Sequence, residues 1–273
     1  MLIMNNKIKL PRLAIVITTR CNLKCKLCSV GIPTQKDAYH IAMEDFEKQL
    51  GIIFSVIDSV DSLEFAGGEP FLHSDLPLMI EAYMRYKDRI KQWLVVTNGT
   101  ILPGNDLIDA LIKFNNFGKL HLSDYNINPD KTKQLVKLLD EIGFKYRIDK
   151  YYGDEQYQGG WVDPGQVISR NWSNEELCNI FANCGLVKNG GCWRLYKGKI
   201  HFCTRSARCI DEGFDFPSDY VDLLDNKTDI KGKSEKLNKI INAQYIMACD
   251  YCNGDLGTND MSRRFPAAEQ INT

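Results

Sequence analysis

Three cysteines within eight residues, Cys21-x3-Cys25-x2-Cys28, carry the strongest chemical signal in this sequence. Thiolates so spaced wrap a loop around one face of an iron–sulfur cubane, each sulfur taking one iron, and they leave the fourth iron open. An open iron chelates a small molecule, and a reduced cluster delivers one electron into it. The competing chemistry is structural zinc, which commonly takes four ligands in two close pairs, so a lone triple fits it poorly. After Cys28 come 149 residues without a cysteine and then seven more, which marks a second metal-binding region. Cys192 and Cys203 flank Gly198, and Cys249-x2-Cys252 follows them, so the two pairs supply four thiolates. These four suit either an iron–sulfur cluster or a structural zinc ion.

The elements that must position these residues are legible in the first half. Short β-branched or aliphatic runs at residues 13–18, 62–66, 93–97, 119–123 and 145–149 alternate with segments of helical spacing. The helical segments carry apolar residues at Phe46, Leu50, Ile53 and Ile57, then at Leu76, Ile80, Tyr83 and Met84. Two more follow, at Leu107, Leu111 and Phe114, and at Leu135, Leu138, Leu139 and Ile142. Each recurs every three or four residues, as one buried helix face requires. Strand–helix repeats of this kind build a parallel sheet that closes wholly or partly into a barrel, with function on the loops after the strands. Cys21 follows the first strand, Gly67-Gly68-Glu69-Pro70 the second, Asn98 and Gly99 the third, and Asp124 the fourth.

Beyond residue 151 the period fades. Residues 151–170 are rich in Gly, Tyr, Asp and Pro and read as a long loop or lid, and a sixth strand stays unassigned. Ser173 and Glu176 have the spacing of a capping box and open a helix to about residue 182. Residues 193–196 and 199–203, joined by Lys197-Gly198, read as a β-hairpin, and a last helix spans about 234–242. The expected fold is α/β, a partial (β/α)6-type TIM barrel over residues 1–170 with a small hairpin-plus-helix extension over 171–273.

Through Thr18-Thr19-Arg20-Cys21-Asn22-Leu23-Lys24-Cys25-Lys26-Leu27-Cys28, the sequence resembles the radical S-adenosylmethionine (SAM) superfamily. Gly67-Gly68-Glu69-Pro70 is similar to that family's GGEP motif, whose backbone and glutamate hold the amino group of SAM. Asn98, in Thr97-Asn98-Gly99-Thr100, and Ser123, which ends the fourth strand before Asp124, also match, the serine where a polar residue meets the SAM ribose. Leu27 departs from the pattern, because an aromatic residue commonly stands before the third cysteine and packs near adenine. The resemblance implies a 4Fe-4S cluster on Cys21, Cys25 and Cys28 with SAM on its open iron. It also implies reductive cleavage to a 5'-deoxyadenosyl radical that abstracts hydrogen from a substrate, and an electron donor such as flavodoxin or ferredoxin.

The later cysteines resemble a twitch domain, the short form of the SPASM domain, which carries an auxiliary 4Fe-4S cluster. Cys192, Cys203, Cys249 and Cys252 are the expected ligands, with Cys184 as the alternative to Cys192. Cys178 and Cys209 remain, either as plain thiols or as hydrogen donors of the kind some radical SAM epimerases use. Glu64 and His121 alternate with apolar neighbours, as do Arg147 and Asp149, and either face the barrel lumen as catalytic groups or sit at exposed strand ends.

Two substrate classes follow for an oxidoreductase or epimerase of this kind: a small sugar or cyclitol, or a short peptide that is cross-linked or epimerised. Only twenty residues precede Cys21, which leaves no room for a fused leader-binding domain and favours the small molecule. With 34 basic against 35 acidic residues and no long run of either sign, a nucleic-acid or membrane partner gains no support. The absence of a long apolar stretch near the start predicts a cytoplasmic protein. The rival from another class is a non-catalytic zinc-binding protein on a barrel scaffold.

Overall fold

The computed structural model describes residues 7–157, 161–254 and 263–271. One eight-stranded sheet organises them. Its first five strands are β1 (Lys9–Thr18), β2 (Ser59–Gly67), β3 (Ile90–Thr97), β4 (Gly118–Asp124) and β5 (Tyr146–Lys150), each parallel to the one before it. Between them lie α1 (Met43–Val56), α2 (Leu76–Tyr83), α3 (Asn105–Lys113) and α4 (Pro129–Glu141). All nine stand where the apolar periods predict them.

One face of the sheet packs on these helices. Leu13, Ile15, Leu63, Phe65, Trp93, Val95, Leu120 and Leu122 alternate along the strands and are fully buried against Phe46, Leu50, Ile53, Ile80, Leu111, Leu135 and Leu139. At roughly 1.5–3 kcal/mol for each large apolar side chain taken out of water, this layer is the main source of the sheet's stability. The opposite face holds Arg12, Glu64, His121, Ser123 and Asp149, because successive side chains on a strand alternate between faces.

The second half joins the same sheet. β6 (Trp193–Tyr196) runs parallel to β1, with Leu13 opposite Trp193 and Ile15 opposite Leu195. It is therefore the sixth parallel strand, a place that the hairpin reading of residues 193–196 did not give it because the pairing with β1 is a long-range contact. β7 (Lys199–His201) pairs antiparallel with β6 as expected, and β8 (Tyr220–Asp222) adds a further antiparallel strand that sequence reading misses. The strand order is β5-β4-β3-β2-β1-β6-β7-β8, an open, mostly parallel sheet that agrees with the expected partial barrel.

Helix α5 (Asn174–Asn183) starts on the Ser173–Glu176 capping box, followed by a single turn, α6 (Gly185–Lys188). The last helix, α8 (Ile230–Ile241), begins four residues before its expected start because the Asp229 side chain accepts from Gly232 N at 2.8 Å. Between them α7 (Thr204–Asp211) was not foreseen: it buries Arg205 and Ser206 beside Ala207 and Cys209, so its buried face lacks an apolar stripe. Among the described residues no helix is long and apolar enough to cross a membrane.

Candidate active site

Cys21, Cys25 and Cys28 lie on the loop after β1 and line one cavity of about 290 Å³ at the carboxyl ends of the parallel strands. The loop is held from two sides. Gly68 N donates to Thr18 O and Glu69 N to Arg20 O, both at 2.8 Å, which ties it to the turn after β2. Asn98 Nδ2 donates to Asn22 Oδ1 at 3.1 Å and approaches Cys21 Sγ at 3.9 Å, which ties it to the turn after β3. The far end of the chain lies along it too: Lys26 N donates to Glu269 O at 2.7 Å, Ile271 N to Lys24 O at 2.9 Å, and Gln270 Nε2 to Cys25 Sγ at 3.3 Å. No local sequence signal announces that last contact.

The two glycines serve this docking. A Cβ on Gly67, whose φ is +138°, would stand 2.0 Å from Thr18 O, and one on Gly68 would stand 2.2 Å from Arg20 O. Strain and overpacking of that kind cost about 1–3 kcal/mol each, so Gly67→Ala is expected to lower the unfolding free energy by about 2–6 kcal/mol. A urea midpoint equal to that of the wild type would show that the loop has room the geometry denies it.

Glu69 is fully buried and does not line the cavity. Its carboxylate accepts from Phe71 N at 3.1 Å, Thr97 Oγ1 at 2.8 Å and Asn98 N at 2.8 Å, so it ties two loops together. Burial pushes this carboxyl up to about 7 against those three hydrogen bonds. Gly67, Gly68, Asn98, Ser123 and Leu27 do line the cavity, Leu27 with a left-handed φ of 58°. Asp124 does not; its Oδ1 accepts from Asn126 N at 2.9 Å and shapes the turn after β4. Tyr125, Tyr151 and Trp161 form an aromatic wall that sequence reading passed over, with Tyr125 stacked on Tyr151 at 5.3 Å and edge-on to Trp161 at 5.9 Å. Trp161, Val162 and Pro164 come from the loop expected to act as a lid.

Glu64 and His121 lie on the same sheet face but one layer below the cavity, two residues before Ala66 and Ser123, which line it. Arg12 Nη2 meets Glu64 Oε2 at 2.6 Å, while His121 Nε2 meets Asp149 Oδ2 at 2.8 Å and Arg147 Nη2 at 3.0 Å. Burial and then Arg147 lower the His121 pKa. The pair forms a polar floor. Cys209 is fully buried in the core and Cys178 lies on α5 within 4.0 Å of Gln244 Oε1, so neither thiol reaches the cavity as a hydrogen donor would need to.

The second set of thiols is the alternative one, with Cys184 in place of Cys192. Cys184, Cys203, Cys249 and Cys252 line a single apolar cavity with Phe181, Phe202 and Ile246, whereas Cys192 does not reach it. Cys192 precedes β6, which pairs with β1, and this directs it toward Arg12. Cys184 caps the end of α5 and turns toward β7. Arg205 lines both cavities and separates them by a single side chain.

All ten cysteines are free. Burial raises Cys21 to about 12, Cys25 to about 11 and Cys249 to about 12, and it pushes Cys203 well above the ordinary thiol range. Thiolates are that costly in these walls unless a cationic group replaces their protons, which is what an iron–sulfur cluster does. Among the described residues no three His, Cys, Asp or Glu side chains are arranged to hold a single metal ion. A cubane makes no such demand, since each of its thiolates binds a different iron and the ligands line a volume. Both sets of thiols fit such a group.

The profile of the Radical SAM superfamily matches residues 15–152. A GTP 3',8-cyclase of Campylobacter jejuni subsp. doylei is 29% identical over 138 residues, 49% of this chain and 41% of that protein. One from Aquifex aeolicus is 25% identical over 184 residues, 64% of this chain and 54% of the relative. The chain thus spans about half the length of these curated relatives. Among solved structures, BtrN in complex with AdoMet and 2-DOIA aligns at TM-score 0.56 and 16% identity over 90% of this chain and 93% of its own. Native anSMEcpe with bound AdoMet aligns at 0.55 and 16% over 84% and 82%. These two share the fold. With the matching profile, the cysteine loop after β1 and the glycine turn docked on it, the chain belongs to the radical SAM superfamily, whose members work with a 4Fe-4S cluster and SAM.

Proposed function

We propose that the protein is a radical SAM oxidoreductase that dehydrogenates a small sugar- or cyclitol-type molecule in the cavity above β1 to β4. The observation that carries this reading is the second set of thiols, Cys184, Cys203, Cys249 and Cys252, one side chain away from that cavity. Cys21, Cys25 and Cys28 would hold the cluster with SAM, and together these would supply hydrogen-atom abstraction, with methionine and 5'-deoxyadenosine as the products of SAM. Oxidising a secondary alcohol to a ketone then requires loss of one more electron and the hydroxyl proton. Cys184, Cys203, Cys249 and Cys252 would hold a second 4Fe-4S cluster, which would supply one-electron capacity. Epimerisation needs a hydrogen donor instead, and of the ten cysteines only Cys21, Cys25 and Cys28 line the cavity.

The chain's own part is to bind, orient and keep water out. The Tyr125–Trp161 wall covers one side, and Ser123 and Asn98 offer polar contacts. Arg12 and Glu64 fix each other in the floor. The test is an anaerobic assay of the reconstituted enzyme with SAM, dithionite and a panel of polyols, sugars and their phosphates. The expected result is one product, two hydrogens lighter than its precursor, for each 5'-deoxyadenosine formed. A product of unchanged mass that takes deuterium from heavy water overturns dehydrogenation in favour of epimerisation, and turnover of a peptide alone overturns the substrate class.

A further inference from the structure

At the flank of the cavity away from the aromatic wall stand three guanidinium groups that no carboxylate among the described residues neutralises closely. Arg194 comes from β6, and Arg205 and Arg208 from the first two turns of α7. Arg194 is 7% exposed and Arg205 3%, yet Nε and Nη1 of Arg194 and Nη1 of Arg205 have no hydrogen-bond partner among the described residues. The remaining Arg205 nitrogens are used up on Tyr251 O and Gln166 O, which lock its guanidinium in place. Arg208 Nη2 donates to Thr34 Oγ1 at 3.1 Å, its Nε is likewise unpartnered, and its nearest carboxylate, Glu212, is 3.7 Å away. Arg12 differs, since Glu64 neutralises it at 2.6 Å.

Burying donors of this strength without acceptors is costly, and more so because they are charged. Such an arrangement persists where an anionic ligand completes it. Thr204, also in the cavity wall, opens α7, so the positive end of that helix adds to the same field.

We infer that Arg194, Arg205 and Arg208 grip a phosphoryl group of the substrate, which is therefore a phosphorylated small molecule such as a sugar phosphate or a nucleoside-diphosphate-linked sugar. This rests on the reading that the cavity is where SAM meets its substrate. Position separates the subsite from SAM. Gly67, Gly68, Asn98 and Ser123 come from the ends of β2, β3 and β4, whereas the arginines stand beyond β1 on the other flank of the sheet. A phosphoryl group offers three acceptor oxygens, one for each guanidinium that lines the cavity, whereas a carboxylate offers two.

The test is calorimetric titration of the anaerobically reconstituted, SAM-loaded protein with inorganic pyrophosphate, and separately with malonate. Pyrophosphate is expected to bind with one site per chain, and Arg194→Ala to weaken it about 10- to 100-fold, the range for losing charge-assisted hydrogen bonds. Arg194→Lys should recover part of the loss. Iron content and SAM affinity of each variant report whether it folds, and if Arg194→Ala does not, Arg208→Ala, with its side chain 18% exposed, carries the same test. Absent pyrophosphate binding, binding indifferent to these substitutions, tighter binding of malonate, or a loss confined to SAM affinity each overturns the inference. Formation of 5'-deoxyadenosine by the wild type tests the underlying reading separately. Cleavage without pyrophosphate binding removes only the phosphoryl subsite, and no cleavage removes the active-site assignment.

Discussion

Cys25→Ala is expected to reduce 5'-deoxyadenosine formation from SAM to background in the anaerobically reconstituted, dithionite-reduced protein. Cys25 is the most buried of the three loop thiols at 9% exposed, and no cysteine from outside the loop lines the cavity to take its place. Removing one of three thiolates leaves an iron without a protein ligand, so the open iron on which SAM depends loses its frame. Cys178→Ser serves as the control, since that thiol is half-buried beside Gln244 and lines neither cavity, and it should keep both the iron and the cleavage. Undiminished 5'-deoxyadenosine formation by Cys25→Ala would remove this loop from the chemistry altogether.

The loop was legible because its signal is local. Three thiols separated by three and two residues point to their own chemistry, and the strands are declared by short β-branched or aliphatic runs and the helices by period 3.6. The turn Gly67-Gly68 was legible as a site of close approach, but what approaches is the backbone of Thr18 and Arg20, which no local pattern reveals. Glu69 shows the same limit. Its residue type indicated an ionic partner, whereas burial and three donors make it a tie between the turns after β2 and β3.

The second half was harder to read because its contacts are long-range. β6 is four residues long and takes its place from β1, some 180 residues earlier in the chain. Cys192 drew attention by standing at the start of the hairpin, yet that same strand pairing carries it toward Arg12. Cys184, eight residues earlier at the end of α5, looked less well placed. The arginines of α7 are invisible for a related reason: an amphipathic pattern is sought in apolar residues, and the buried face of this helix includes Thr204, Arg205 and Ser206.

That difference between Cys184 and Cys192 decides the second large effect. If Cys21, Cys25 and Cys28 carry one cubane and Cys184, Cys203, Cys249 and Cys252 another, the wild type should hold about eight irons per chain and the Cys21/Cys25/Cys28→Ala variant about four. Cys249→Ala with Cys252→Ala removes two ligands from one site, and should leave about four irons together with SAM cleavage while abolishing substrate oxidation. Cys184→Ala should deplete the second cluster, because no spare thiol lines its cavity. Cys192→Ala should retain about eight irons, since its thiol lies outside that cavity and beside Arg12. The opposite result, iron lost on Cys192→Ala and kept on Cys184→Ala, would mean that β6 and α5 exchange roles in the assembled protein. Zinc without iron in the Cys21/Cys25/Cys28→Ala variant after anaerobic reconstitution would make the four later thiols a structural metal site, and the electron released in oxidation would then need another acceptor.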